Sequence, residues 1–306
     1  MKQTSMTALV SAFSRAYHSQ NNHAKIFDDS VARSLLSDQE YEQIGKSMAQ
    51  GIQFFNPGFA GNDADALRWI VDHQLSPSPL GRSAFAEQAL KNAVNGGATQ
   101  YLIFAAGYDS FAYRQPEWAS VLQIFEIDHP LMSVEKQSRI NRVFAKRPDN
   151  LTYLPVDLAV TRIDESLFAN SQFDRSQLSF CSMLGISYYL STDSFIGLIE
   201  SISKIICVGS TIVFDYPDQD TYTDKAGERA KRQVMLAGEA GEAMLAGYSY
   251  SDMEALLSNL GFLICEHLEP QEITEKYFAE YNRANPQHMM SAFDNVNYCL
   301  AVKKKF

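Results

Sequence analysis

Cysteine is scarce in this chain of 306 residues. Its four thiols, Cys181, Cys207, Cys265 and Cys299, are far apart and sit inside apolar runs, with no CxxC or Cys/His ligand spacing. That pattern argues against a zinc site and a disulfide framework, so a reduced, cytoplasmic setting is the expectation. The six histidines are scattered, and no HExxH-type pairing occurs. Positive charge is also short: the formal net charge is −10, which argues against nucleic acid as a partner. The one basic cluster, Lys303 to Lys305, is most simply a solvated chain end. No run reaches the roughly 18 apolar residues of a membrane span, and the N-terminal MKQTSMTALVSAF lacks a signal-peptide core. What remains, 46% apolar and 20% charged residues, is an ordinary globular composition with room for a substantial core.

Two regions organise the chain. Residues 1–80 read as a polar, helical extension with amphipathic pieces around 4–17, 31–49 and 62–74. Between these pieces, GIQFFNPGFAG (51–61) reads as a loop carrying aromatics. SPSPLGR at 76–82 punctuates the boundary, and from Arg82 apolar residues recur at helical spacing until Gly96–Gly97. Apolar runs near 101–106, 121–127, 151–156, 178–184 and 211–216 then alternate with helical segments at 131–145, 162–169 and 192–206. After a helix at 251–259, the stretches 261–268 and 296–302 read as two final strands. Such alternation predicts an α/β domain over 81–306 with a mainly parallel sheet and helices on both faces. Residues 217–247 break the rhythm, and we read them as a helical lid; an inert surface insertion is the alternative.

The first strand–helix–strand unit carries the clearest chemistry. Tyr101 to Ala106 ends in the small-residue turn Ala105–Ala106–Gly107, and a second apolar run ends in Glu126 and Asp128. A tight turn after one strand and an acid after the next is the layout of a nucleoside site, the acid accepting from ribose hydroxyls. A dinucleotide fingerprint needs three glycines, whereas the three positions here are Ala105, Gly107 and Ser110. Close backbone approach to a pyrophosphate is therefore disfavoured, which favours S-adenosyl-L-methionine over a nicotinamide cofactor.

SPLGRSAFAEQAL, QYLIFAAGYDSFAYR, FEIDHP, LPVDLA (154–159), LGISYYLS (184–191) and STIVFDYP (210–217) run in an order that resembles the leucine carboxyl methyltransferase family, in particular its bacterial O-methyltransferase branch. The resemblance implies a Rossmann-like class I methyltransferase fold, a seven-stranded sheet with an antiparallel C-terminal strand, and S-adenosyl-L-methionine as cofactor. It implies that Arg82 pairs with the cofactor carboxylate, for which a guanidinium fork is suited. Ala105 and Gly107 would face the methionine portion and Asp128 the ribose, with Glu126 as the weaker claimant. Asp157 and Leu158 match the pair that contacts adenine; a helix N-cap is the competing role for Asp157. Arg15 matches a basic position near the cofactor, and Tyr189 matches a substrate-side tyrosine. Two departures stand out. Ala105 replaces the family's first turn glycine, and Leu184 replaces a glutamate of the protein-methylating branch.

The expected reaction is methyl transfer to an oxygen, carboxylate or phenol, of a hydrophobic small molecule. A carboxylate acceptor needs no base, whereas a phenol, which ordinarily ionises at about pH 10, benefits from one. No His/Asp pair offers itself as that base, and His129, followed by Pro130, reads as structural. The N-terminal helices, 51–61, 217–247 and 270–295 are expected to form the acceptor pocket, with Phe54, Phe55, Phe59, Tyr248, Tyr250, Tyr277, Phe278 and Tyr281 as aromatic lining. Protein C-terminal carboxyl methylation, a nicotinamide-dependent oxidoreductase and a non-catalytic binding module are the alternatives. Oligomeric state is not legible.

Overall fold

The computed structural model describes residues 5–158, 163–164, 168, 171–239 and 241–305. Seven strands form its sheet: β1 (Gln100–Phe104), β2 (Gln123–Asp128), β3 (Leu151–Pro155), β4 (Ser179–Met183), β5 (Thr211–Pro217), β6 (Phe262–Leu268) and β7 (Val296–Lys303). Each begins and ends within two residues of the apolar run that predicts it. Their order is β3-β2-β1-β4-β5-β7-β6. The first five run parallel, and β7 is antiparallel to both β5 and β6.

β1 and β4 are buried at every position, as parallel strands covered on both faces must be. Side chains alternate between two cores. Leu102, Phe104, Phe125, Ile127, Cys181 and Phe214 pack on one face against Phe195, Ile199 and Ile202. Tyr101, Ile103, Ile124, Phe180 and Val213 pack on the other against Phe85, Leu90 and Phe278.

The helices that position the site are α1 (Met6–Asn21), α2 (Asp38–Gln50), α3 (Asp63–Ile70), α4 (Pro77–Asn95), α5 (Pro130–Ile140), α6 (Thr192–Ile205), α7 (Glu228–Glu239) and α8 (Tyr250–Asn259). None of the helices in the described residues is long and apolar enough to cross a membrane. The amphipathic piece expected at 31–49 is split: a short 3₁₀ turn (Ala32–Leu35) precedes α2, whose start is fixed by a reciprocal Ser37/Glu40 capping box. The expected helix at 131–145 stops at Ile140, and the turn that follows brings Phe144 to 4.9 Å from Tyr113. The helix expected at 162–169 falls mostly outside the described residues.

A helical stretch ends at Leu75 and another follows, so the boundary falls where the sequence places it, but the second helix begins at Pro77 and not at Arg82. Pro77 is at the first position of α4. There the missing N–H is one that the helix leaves unpaired anyway. Gly81 follows because α4 crosses β7 closely: a Cβ at 81 would lie 2.6 Å from the Tyr298 hydroxyl and 3.1 Å from Phe278. The next residue, Arg82, leaves the helix on the side of the strand ends.

Candidate functional site

Strand order reverses between β1 and β4, and in open α/β sheets ligands bind beyond the carboxyl ends at such a switch. A cavity of about 870 Å³ lies there. That is within the range of small-molecule sites. Its floor is the turn after β1 (Ala105 to Asp109) and the turn after β4 (Leu184 to Ile186). Asp128, His129 and Met132 form one side, Arg82 and Tyr189 another, and α1 with residues from α7 to Met244 the cover.

The β1 turn is strained and clipped in place. Ala105 has φ of +51°, the one non-glycine residue in the left-handed region among those described, and Gly107 has φ of +48°. Such a backbone is unfavourable for alanine by about 1–2 kcal/mol. Asp128 holds the turn: its Oδ2 accepts the Gly107 N–H at 2.6 Å and its Oδ1 accepts the His129 N–H at 2.7 Å. Burial raises the Asp128 carboxyl above its usual pKa, and these two N–H donors oppose the rise.

Arg82 is held from below. Its Nη1 lies 3.4 Å from Oδ2 of Asp215, a fully buried carboxylate on β5. Asp215 also accepts the Gly185 N–H at 2.6 Å and the Tyr188 hydroxyl at 3.0 Å. Burial works against the Arg82 charge, but Asp215 and three nearby tyrosines outweigh it and raise its pKa. Gly185, at φ +68°, passes directly beneath: a Cβ there would lie 2.3 Å from Arg82 Nη1.

A second buried cluster fixes the opposite corner. Arg15 donates from Nε to Asp29 at 2.8 Å and from Nη2 to the Tyr108 carbonyl at 2.7 Å. Asp29 also accepts from Ser110 at 2.6 Å, with Arg114 at 3.5 Å. Burial pushes the Asp29 carboxyl up, yet Arg15, Arg114 and Ser110 hold it below the usual range.

Of the residues the sequence singles out, Arg15, Arg82, Ala105, Gly107, Asp128 and Tyr189 share this cavity. Asp157 and Leu158 do not line it. Asp157 stands beside it, 3.8 Å from Nε2 of His129, and Leu158 packs against the core. Glu126 is not on the wall either. It is buried with Lys136 at 2.6 Å, and burial pushes its carboxyl up to about 7 against the pull of that lysine.

The expected aromatic lining is mostly elsewhere. Phe55 lines the cavity, but Tyr248, Phe278 and Tyr281 are core residues, Tyr277 borders a separate surface groove, and Phe54 and Tyr250 face solvent. Aromatic content marked core packing rather than a ligand wall. The apolar lining comes instead from residues such as Val10, Met48, Leu75, Leu236, Met244 and Phe293. Asp215 and Asp29 were not anticipated from sequence. An acid inside the apolar run Ile212 to Tyr216 was the available signal for the first, since a buried carboxylate needs partners. Nothing local marked the second.

Comparison with known proteins agrees with this architecture. The family model "Leucine carboxyl methyltransferase" matches residues 8–203. A Bacillus subtilis protein described as "Putative S-adenosyl-L-methionine-dependent methyltransferase YktD" is 37% identical over 307 residues, 99% of either chain. A Mycobacterium sp. protein of the same general description is 32% identical over 225 residues, covering 70% of this chain and 68% of its own. Among solved structures, a "putative methyltransferase" from Thermobifida fusca superimposes with a TM-score of 0.57 at 12% identity, covering 99% of this chain and 96% of that one. A DUF574 family protein from Streptomyces avermitilis gives 0.56 at 11% identity, covering 96% and 97%. The fold is that of the class I methyltransferases. This chain belongs to the leucine carboxyl methyltransferase family and is a methyltransferase.

Proposed function

We propose that this enzyme transfers a methyl group to an oxygen atom of a hydrophobic small molecule, with donor and acceptor meeting in the cavity at the β1/β4 switch. The methyl donor is S-adenosyl-L-methionine. The observation that carries the site assignment is the opposed pair of charged groups across one cavity, Arg82 on Asp215 and Asp128 on the β1 turn. A zwitterionic nucleoside fits that arrangement. Arg82 presents a guanidinium for its carboxylate, and Asp128 keeps lone pairs for ribose hydroxyls. The left-handed turn at Ala105 to Gly107 keeps side chains out of the path of the methionine portion. Asp157, beside His129, and the adjoining Leu158 would meet an adenine edge that extends past that ring.

When bound, the donor supplies an electrophilic methyl group on sulfur. The chain contributes positioning and exclusion of water, the main sources of acceleration in an in-line transfer. The apolar wall of Val10, Met48, Leu75 and Phe293, with Tyr189 at its edge, would hold a hydrophobic acceptor. Leu184, also on the wall, stands where the protein-methylating branch carries a glutamate, which speaks against a protein C-terminus as acceptor. All four thiols are unpaired, and the expected setting is the reducing cytoplasm.

Calorimetry with S-adenosylhomocysteine, followed by transfer of labelled methyl to a panel of aryl acids and phenols, tests this reading. Micromolar binding with label on at least one acceptor oxygen is the expected result. Absence of binding, or label only on protein C-termini, overturns it.

A further inference from the structure

We propose that Glu242 is the general base of the transfer and that the acceptor group is a hydroxyl, phenolic in class, which arrives protonated; this rests on the methyl-transfer reading above. The carboxylates on the cavity wall differ in what they already hold. Asp29 is committed to Arg15, Ser110 and the Ala32 N–H. Asp128 holds two backbone N–H groups and is assigned to the ribose, and Asp109 accepts the Phe111 N–H at 2.8 Å. Glu242 is in no ion pair among the described residues and takes one hydroxyl, that of Thr7 on α1.

Its placement follows from the end of α7. Gly241 turns the chain with φ of +77°, while the N–H groups of Gly241 and Glu242 close back on Gly238 at 3.0 Å and Ala237 at 2.9 Å. Gly241 and the paired closing bonds form a helix stop that bends the following residues back toward the cavity. Three residues on, the Leu245 N–H donates to the Tyr188 carbonyl at 2.8 Å, so the covering strap is pinned beside Tyr189. Thr7 also faces the Tyr189 hydroxyl. Leu236 and Met244 flank this corner with apolar surface.

An ionised carboxylate entering that corner would meet Glu242 as a like charge. A neutral hydroxyl meets it as a proton acceptor. In the step, the acceptor oxygen forms a bond to the methyl carbon and the carbon–sulfur bond breaks, its electron pair going to the neutral thioether. The hydroxyl proton passes to a carboxylate oxygen of Glu242. No oxidant or further reactant is needed.

The test compares E242Q with the native enzyme on two probes, 4-butylphenol and 4-butyl-2-nitrophenol, at about pH 8. The first is neutral there, about two units below the ordinary phenol pKa, and the second is already largely ionised. E242Q is expected to lose about a hundredfold or more in kcat on the phenol, the scale of a general base. On the nitrophenol, whose phenolate meets the native Glu242 as a like charge, E242Q should lose nothing and instead gain activity, with S-adenosylhomocysteine affinity unchanged by calorimetry. Equal losses on both probes, or weakened affinity for S-adenosylhomocysteine, would place Glu242 in a positioning or donor-binding role and overturn the proposal. Native enzyme that methylates aryl acids but neither phenol also overturns it, while leaving the proposed function standing. Native enzyme that binds no S-adenosylhomocysteine removes both.

Discussion

Gly185→Ala is the substitution that isolates the role of Arg82 without touching it. A methyl group at 185 would lie 2.3 Å from Nη1 and 2.7 Å from Cζ of Arg82, inside any allowed contact, so the guanidinium must move. Backbone strain is a separate cost, because φ is +68° and an L-residue there loses about 1–2 kcal/mol. Gly97→Ala serves as the control. It shares the left-handed backbone, at φ +99°, but its new methyl would meet nothing nearer than Leu178 at 3.8 Å, far from the cavity. Gly97→Ala should lose about 1–2 kcal/mol of stability in a denaturant titration, and Gly185→Ala should lose that much plus the cost of displacing Arg82 from buried Asp215. Only Gly185→Ala should also lose donor affinity. A charged hydrogen-bonded contact contributes about 1.5–3 kcal/mol, which is about ten- to hundredfold in Kd for S-adenosylhomocysteine. Equal Kd values for Gly185→Ala and the native enzyme would refute the assignment of Arg82 to the donor.

Ala105→Gly should stabilise the protein. Relief of left-handed strain outweighs the entropy of glycine by about 0.5–1 kcal/mol, a rise of about 2 °C in Tm, and a fall would contradict the strain at φ +51°. Asp29→Asn leaves two buried guanidinium groups without their shared charge, so the denaturant midpoint should drop by the equivalent of about 3 kcal/mol; a loss below about 1 would show the cluster to be solvated. His18 is fully buried, its Nε2 accepts the Ile26 N–H at 3.0 Å, and burial lowers its pKa to about 4. Below about pH 6.5 the unfolded chain takes up a proton that the native histidine refuses, so stability is full above that value and falls as the pH drops toward 4. The loss should approach about 3 kcal/mol in pH-dependent unfolding, and His18→Gln should flatten that slope.

Much of the sheet was legible because β1 and β4 are buried at every position and the other parallel strands are mostly apolar between turn residues. Ala105, Gly107 and Asp128 could be read together because one strand–helix–strand unit brings them into proximity. Residues that meet only through tertiary structure were harder. Asp215 reaches Arg82 across 133 residues and Glu242 reaches Thr7 across 235, distances that no periodicity records. The aromatic positions misled for a related reason. A tyrosine such as Tyr281 hides its ring and finds a partner for its hydroxyl, here Arg68 at 2.9 Å, so composition alone does not separate a core tyrosine from one that waits for a ligand. The prolines of SPSPLGR marked the boundary but not the start of α4, because proline also suits the first turn of a helix.

Gly81 and Arg82 are neighbours with opposite duties, one bearing on Tyr298 and the other on the cavity. A side chain at 81 would press on Tyr298 and Phe278, so the helix that carries Arg82 can lie this close to β7 only with glycine there. A fault in that packing would reach the cavity through a single peptide bond.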